Sequence, residues 1–236
     1  YRRFKMKSNS KLILAKTNDY SKTDAPQQTV VMIHGIAATS ASYDSALNYF
    51  KNAEGLEKFR FVTFDLLGAG KSLTDDSLEY NYEEQIEALH AAISELEPKT
   101  PIVLIGHSLG TFIVTRYAKF HPENIGQLIL VSPPIYSKKD LDNPAFRMGM
   151  RMFNKAVDAR QPGTSKQKSF VKSMKNIVLA RDNYQTLVET KVPTVLIYGT
   201  EDQIIASYNI PGGQEKNKNI KAISTTGQHS VTEEKF

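Results

Sequence analysis

Residues 101–120 have the sequence PIVLIGHSLGTFIVTRYAKF. The first five are an apolar, β-branched run typical of a strand that is buried on both faces. Residues 109–120 predict a helix, and the turn between strand and helix is a G-x-S-x-G sequence formed by Gly106, Ser108 and Gly110. A turn of this kind holds its serine in a strained conformation and lifts the hydroxyl above the edge of a sheet. Such a turn needs small residues two positions either side of the serine, and the two glycines meet that need.

Five similar apolar runs predict further strands, at residues 29–33, 59–64, 128–131, 194–198 and 220–224. The apolar spacing and early glutamates of residues 82–96 predict a helix, and residues 4–16 predict an opening hairpin. Strands that alternate with amphipathic helices indicate an α/β fold with a mainly parallel central sheet and helices on both faces. Because ligands bind such sheets at the carboxyl ends of the strands, we expect the functional residues where strands stop.

Residues 133–192 depart from this alternation. They lack a strand pattern, but residues 146–157 and 168–187 have helical spacing. The stretch carries 12 Lys or Arg against 5 Asp or Glu, and four of the six methionines. We therefore expect a helical cap, or lid, at residues 133–192, inserted into one core made of residues 1–132 and 193–236. The methionines and basic residues of this cap have two interpretations. In the first, the methionines pack the cap helices and the basic residues form solvated faces. In the second, the methionines line a deformable apolar pocket and the basic residues attract the protein to anionic substrates or a lipid surface.

A serine hydroxyl is a weak nucleophile and requires a neighbouring base. The chain has five histidines. His229 lies in a glycine-containing loop directly after the last predicted strand, which makes it the best candidate for the base of Ser108. His107 is adjacent to the serine in sequence, but its side chain is expected to point away from the hydroxyl. His90 and His121 are expected at the surface.

A carboxylate is required to hold the base in its correct tautomer and to stabilise its charged form. The sequence GTED, residues 199–202, directly follows the predicted strand TVLIY. We favour Asp202 because a strand-end G-x-x-D places its side chain inward, and Glu201 is the alternative. The candidate catalytic residues are therefore Ser108, Asp202 and His229, in the chain order expected of a triad on an α/β sheet.

The tetrahedral oxyanion of acyl transfer requires N–H donors aimed at it. The loop of residues 34–37, His-Gly-Ile-Ala, follows the strand TVVMI, and we expect the amide of Ile36 to be one donor. The second is expected to be the amide of Leu109, at a helix N-terminus where negative charge is favoured. His34 is expected to have a structural role in fixing its loop.

Other function classes are excluded by composition and by a failed motif match. The chain of 236 residues has 30 Lys or Arg against 25 Asp or Glu, net +5, without a dense basic run, so no nucleic-acid partner is expected. The absence of cysteine excludes disulfides, thiolate catalysis and cysteine-ligated zinc. Residues 65–72, DLLGAGKS, resemble a phosphate-binding loop, but Asp65 stands where its first glycine is required. No apolar run reaches the ~20 residues of a membrane-spanning helix.

The motifs together resemble the α/β-hydrolase superfamily, in its single-domain esterase- and lipase-like branch. The resemblance covers about residues 29–229 and is carried by His34-Gly35, residues 65–72, GHSLG, GTED and GQH in family order. It implies a serine hydrolase that acts through an acyl-enzyme without metal or organic cofactor. The elbow serine differs from the aspartate that the similar haloalkane dehalogenases and epoxide hydrolases have there.

The resemblance implies a carboxylesterase that cleaves small or medium acyl esters. A C–C bond hydrolase with the same triad is one alternative, although such enzymes more often have Asn at the position of His107. A non-catalytic hydrolase-fold protein that binds a ligand or partner is another. The sequence opens at Tyr1 rather than Met, so we expect that an upstream segment was removed or omitted. Cytoplasmic and exported locations both stay open, as does the oligomeric state.

Overall fold

The computed structural model of the protein describes residues 12–158, 165–180, 182–202 and 209–229. Within these ranges the centre of the fold is one seven-stranded sheet. In chain order its strands are β1 (Ala15–Ser21), β2 (Gln28–Ile33), β3 (Phe59–Asp65), β4 (Ile102–His107), β5 (Ile125–Val131), β6 (Thr194–Gly199) and β7 (Ile220–Thr225). Their spatial order is β1-β3-β2-β4-β5-β6-β7.

The sheet is mainly parallel, as the sequence predicts. Every neighbouring pair from β3 through β7 is parallel, and β1 alone pairs antiparallel, with β3. All six strands predicted from apolar runs are present. The parallel arrangement brings the carboxyl ends of β2 through β7 to one edge of the sheet. The α/β fold prediction is confirmed.

Strand β1 is the part of the sheet that the sequence analysis did not predict. The hairpin predicted over residues 4–16 lies mostly outside the described residues, and only its last two residues, Ala15 and Lys16, belong to the edge strand β1. Its sequence AKTNDYS is polar because one side of an edge strand faces solvent. A bidentate ion pair connects β1 to β3: Arg60 donates to both carboxylate oxygens of Asp19, each at 2.7 Å. The hydrogen bonds from Arg60 lower the pKa of Asp19 to about 2.

Eight α-helices flank the sheet within the described ranges. They are α1 (Asp44–Asn52), α2 (Tyr82–Ser94), α3 (Leu109–Phe120), α4 (Lys138–Asp142), α5 (Pro144–Asp158), α6 (Ser165–Ser173), α7 (Asn183–Val188) and α8 (Ile210–Lys216). Short 3-10 turns occupy Ser40–Tyr43 and Pro122–Asn124, and a π-helical turn, Met174–Val178, continues α6. None of the described helices has both the length and the apolar character needed to cross a membrane.

Helices cover both faces because successive strand residues point to opposite sides of the sheet. Val31 and Ile33 of β2 face the larger core cluster, which contains the buried side of α2 and α3. Val30 and Met32 face the smaller cluster on the other side, where Leu47 of α1 packs. Helix α2 begins where Asn81 accepts a hydrogen bond from the Glu84 amide at 3.0 Å, the standard way to satisfy a helix start.

The helices α4 to α7 lie between β5 and β6 in the chain. Helix α6 contacts the loop after β3, where Ser169 donates to the carbonyl of Gly68 at 2.9 Å and Lys168 pairs with Asp76 at 2.6 Å. Helix α7 instead contacts α3 through a 3.1 Å hydrogen bond from Arg116 to Thr186. Residues 133–192 therefore contact the core both near the carboxyl end of β3 and along α3, and Asn217 also donates to the carbonyls of Val188 and Thr190.

Candidate active site

Ser108 lies at the junction of β4 and α3. Its backbone has φ 49° and ψ −116°, outside the regions that non-glycine residues ordinarily adopt. A serine in such a conformation is strained, and strain of this kind concentrates at functional sites. The G-x-S-x-G turn thus has the nucleophile-elbow geometry.

The two glycines of the turn are required by close backbone approach. A Cβ atom on Gly106 would lie 2.8 Å from the backbone of Gly110, and one on Gly110 would overlap the carbonyl oxygens of Ile33 and His34. The start of α3 is therefore pressed against the ends of β2 and β4. This contact brings the loop after β2 next to the serine, since a Cβ on Gly35 would lie 3.1 Å from the Cβ of Ser108.

The three predicted catalytic side chains lie together in one hydrogen-bonded chain. His229 Nε2 is 2.9 Å from Ser108 Oγ, and His229 Nδ1 is 2.8 Å from Asp202 Oδ2. The Asp202 side chain is 0% exposed and that of His229 is 15% exposed. A carboxylate can only accept, so Nδ1 donates to Asp202 and Nε2 is left to accept the proton of Ser108. Glu201, the alternative acid, is exposed.

The loops that carry the base and the acid are held side by side. The amide of Thr200 donates to Thr225 at 2.9 Å, and that of Glu201 donates to Gly227 at 3.0 Å. Gly199 must be glycine here, because a Cβ would overlap the carbonyl oxygen of Gly227. Gly227 itself has φ 153°, in the range that favours glycine. These contacts fix the spacing between the two loops and hence between Asp202 and His229.

Two residues that the sequence analysis did not assign to the site hold the backbone of the base. The carbonyl oxygen of His229 accepts from Ser132 Oγ at 2.7 Å and from His107 Nε2 at 3.2 Å. We call this pair of donors the carbonyl clamp. His107 does turn away from the Ser108 hydroxyl, as predicted, and burial lowers its pKa to about 4. It is therefore a neutral hydrogen-bond donor at ordinary pH.

The low pKa of His107 predicts acid sensitivity of the fold. The unfolded chain protonates this histidine near pH 6.5 and the folded chain only near pH 4, so the folded state binds fewer protons in that interval. The free energy of unfolding should fall as pH decreases from about 6.5 to about 4, by on the order of 3 kcal/mol from this group. Urea titrations across this range should show a smaller decline for His107→Gln, whose amide can still donate to the carbonyl of His229.

Buried His34, whose pKa burial also lowers, is unchanged in both proteins, so their difference isolates His107. Parallel pH profiles for the parent and His107→Gln would show that His107 is not held neutral by the fold.

The loop of residues 34–37 is fixed by His34, as expected. The buried ring donates from Nδ1 to the carbonyl of Gly35 at 2.7 Å and accepts at Nε2 from the amide of Leu66 at 3.0 Å. The amide of Ile36 follows directly in this loop. Leu109 is the first residue of α3, where amide groups have no acceptor within the helix. The two predicted oxyanion donors therefore lie on the two backbone segments that adjoin Ser108.

The loop that resembles a phosphate-binding sequence binds its own carboxylate. Asp65 accepts from the amides of Ser40 and Lys71, each at 2.8 Å. Burial opposes ionisation of Asp65, but these amide hydrogen bonds hold its pKa below the ordinary value. Gly70 has φ 50°, and a Cβ there would overlap the same carboxylate. The glycines of this loop thus serve a structural turn that ties β3 to the region of α1. Among the described residues, no group of three or more His, Asp or Glu is arranged to hold a metal ion.

Comparison with known proteins places these features in a family. A family model described as alpha/beta hydrolase fold matches residues 28–163. The "Probable lysophospholipase BODYGUARD 1" of Arabidopsis thaliana is 36% identical over 114 residues, which are 47% of this chain and 24% of that protein. A monoacylglycerol lipase of Mus musculus is 20% identical over 246 residues, 88% of this chain and 71% of that protein. An esterase from Exiguobacterium antarcticum has a TM-score of 0.71 at 18% identity, covering 92% of this chain and 88% of the other.

These similarities differ in what they establish. The chain spans about a quarter of the length of the plant relatives it matches, and the similarity to the bacterial esterase, at 18% identity, concerns the fold. The family model covers more than half of the chain and includes the loop after β2, the elbow and the start of residues 133–192. With the sheet order and the strand-turn-helix geometry at Ser108, this match leads to one assignment: the chain belongs to the α/β-hydrolase fold family.

Proposed function

We propose that this protein is a serine hydrolase, a carboxylesterase that cleaves small or medium acyl esters. The observation that carries the proposal is the continuous hydrogen-bonded chain from Ser108 through His229 to Asp202, with distances of 2.9 and 2.8 Å. Both distances fall within the range of a nucleophile activated by a base and a base oriented by a third group. The strained backbone at Ser108 supports the same role for this residue.

In the proposed reaction Ser108 Oγ attacks the acyl carbon of the ester, and His229 Nε2 accepts the serine proton. The tetrahedral adduct then collapses, and His229 returns the proton to the leaving alcohol, which leaves an acyl group on Ser108. Water, deprotonated by the same histidine, releases the acid and restores the serine. Asp202 remains ionised throughout, orients the ring and stabilises its charged form.

The negative charge of each tetrahedral adduct is assigned to the amides of Ile36 and Leu109. Amides on rigid segments need no reorganisation when the charge forms, and each donor of this kind contributes about 3–4 kcal/mol to lowering the barrier. The position of Leu109 at the start of α3 adds the favourable end of the helix dipole. The carbonyl clamp contributes by fixing the backbone of His229, which holds the ring in line with the serine.

Three of the similar proteins support an ester substrate. The three proteins described above are named a probable lysophospholipase, a monoacylglycerol lipase and an esterase, and names of this kind refer to the cleavage of carboxylic esters. We assign the helices of residues 133–192 to a cap because they follow β5, whose carboxyl end adjoins the serine: the amide of Ser108 donates to Val131 at 3.0 Å. Such an insert can cover the acyl group of a bound ester, and its side chains would set acyl length.

A panel of p-nitrophenyl esters from acetate to laurate tests this function. We expect saturable hydrolysis with kcat/KM highest for short or medium chains, because a covered site of limited length accepts them best. A vinylogous diketone of the kind cleaved by C–C hydrolases should be turned over at least about 100-fold more slowly. Preference for the diketone would favour the C–C hydrolase alternative, and no turnover of any ester or diketone would favour a non-catalytic binding protein.

A further inference from the structure

Helix α5 exposes methionines on the side that faces away from the core. The side chains of Met148 and Met152 are 59% and 66% exposed, whereas Phe146 and Met150 pack against the main core cluster. Positions four apart lie one above the other on a helix, so the two exposed methionines form one apolar strip. Exposure of this extent differs from that of Met174, which is buried, and both interpretations of the cap methionines stay predictions.

A strip of basic residues runs beside the methionines. Arg147, Arg151 and Lys155 follow one another at four-residue intervals and are all exposed. Other basic residues of this region are engaged, since Lys168 pairs with Asp76 and Lys172 with Glu79. Across the described parts of the chain, the ion pairs include none made by the three basic residues of α5. Arg147 and Arg151 donate to the backbone carbonyls of Leu141 and Arg147, so among the described residues their charge is not balanced by a carboxylate on the outer face of this helix.

We propose that the outer face of α5, defined by Met148, Met152, Arg147, Arg151 and Lys155, docks on an anionic lipid surface. A helix with exposed apolar side chains beside Lys and Arg fits the boundary between lipid headgroups and acyl chains. The long basic side chains reach the headgroups while their stems stay with the apolar strip. Flexible thioethers adapt to an irregular apolar environment. The occupant is thus a membrane of negative surface charge, and the contact does not depend on the proposed esterase activity.

Aromatic contacts link the inner face of α5 to the helix that begins after Ser108. The inner face of α5 contacts the core through Phe146, whose ring is 4.7 Å from that of Tyr136, and Tyr136 is 6.1 Å from Phe112. Phe112 lies in α3, one turn after the serine. Docking through α5 would therefore bring the membrane to an element whose inner side contacts α3, the helix that begins directly after Ser108.

Vesicle sedimentation tests the proposal without turnover, in a Ser108→Ala background that leaves the lipids intact. The protein should sediment with vesicles of phosphatidylcholine containing about 30% phosphatidylglycerol and much less with phosphatidylcholine alone, and binding should weaken as salt rises from about 20 to about 300 mM. Each basic residue near such a surface contributes about fivefold in affinity, so Arg151→Gln with Lys155→Gln should lower affinity about 25-fold. Met148→Ser with Met152→Ser should lower it at least about tenfold.

Matched controls lie on other faces. Lys58 and Lys99 are exposed at the opposite edge of the sheet, so Lys58→Gln with Lys99→Gln removes the same charge and should leave binding within about twofold. Tyr49, 65% exposed on α1, provides the apolar control as Tyr49→Ser. Equal losses in control and α5 variants, or equal binding to both vesicle types, would overturn the proposal. Binding to soluble polyglutamate is a further test. If it were as tight as vesicle binding and unchanged by Met148→Ser with Met152→Ser, the partner would be an acidic protein and the proposal would be overturned.

Discussion

Ser108→Ala is expected to lower the turnover of p-nitrophenyl esters by about 10⁵- to 10⁶-fold, because no other group can form the acyl-enzyme. The fold should persist, since the change removes one hydroxyl and leaves the strained turn and its glycines in place. Initial-rate measurements at saturating ester, together with a thermal melt of both proteins, check the two parts of this expectation.

Ser94→Ala provides the matched control. Ser94 is exposed on α2, where its hydroxyl donates to the carbonyl of His90 at 2.7 Å. Its loss should leave ester turnover unchanged. If Ser108→Ala instead retained more than about a hundredth of the parent turnover, covalent catalysis by this serine would be the wrong mechanism.

Asp202→Asn should cost about 10⁴-fold in kcat. The Asp202 side chain is fully buried and accepts from His229 Nδ1 at 2.8 Å. An amide in its place can donate instead, which favours the tautomer with the proton on Nε2 and leaves no lone pair for the proton of Ser108. It also removes the charge that stabilises the imidazolium. The variant should therefore lose kcat with little change in the acyl preference of the enzyme.

Glu201→Gln is the adjacent control, since its side chain is exposed and exposed charges contribute little. We expect its kcat to stay within about threefold of the parent. A larger loss in Glu201→Gln than in Asp202→Asn would assign the acid to Glu201 and show that the loop after β6 moves before catalysis.

Most of the fold could be predicted because its central strands β2, β4 and β6 have no exposed residue on either face. The apolar runs of β2, β4 and β6 follow directly from that burial, and the alternation with helices then gives a parallel sheet. Strand β1 was missed because its side chains are polar and its place is set by pairing with β3, which no local pattern reveals. Helix α1 was also missed: it is short, Asp44–Asn52, and only Leu47 of it is buried.

The candidate triad could be predicted because each member follows a strand end in a small, recognisable motif. The carbonyl clamp could not. Ser132 follows β5 and His107 ends β4, and both reach the backbone of His229 only because the sheet places these ends side by side. A hydrogen bond to a backbone carbonyl requires no particular residue at the accepting position. Contacts of this type therefore leave no pattern in a single sequence.

The central claim is that Ser108 is the nucleophile of a serine hydrolase, and covalent labelling with a fluorophosphonate tests it most directly. Intact mass spectrometry of the labelled protein should show one adduct per chain, peptide mapping should place it on Ser108, and Ser108→Ala should remain unlabelled. An ester that the protein hydrolyses should compete for Ser108 and slow the labelling. An unlabelled parent protein, or an adduct on any residue other than Ser108, would contradict the account.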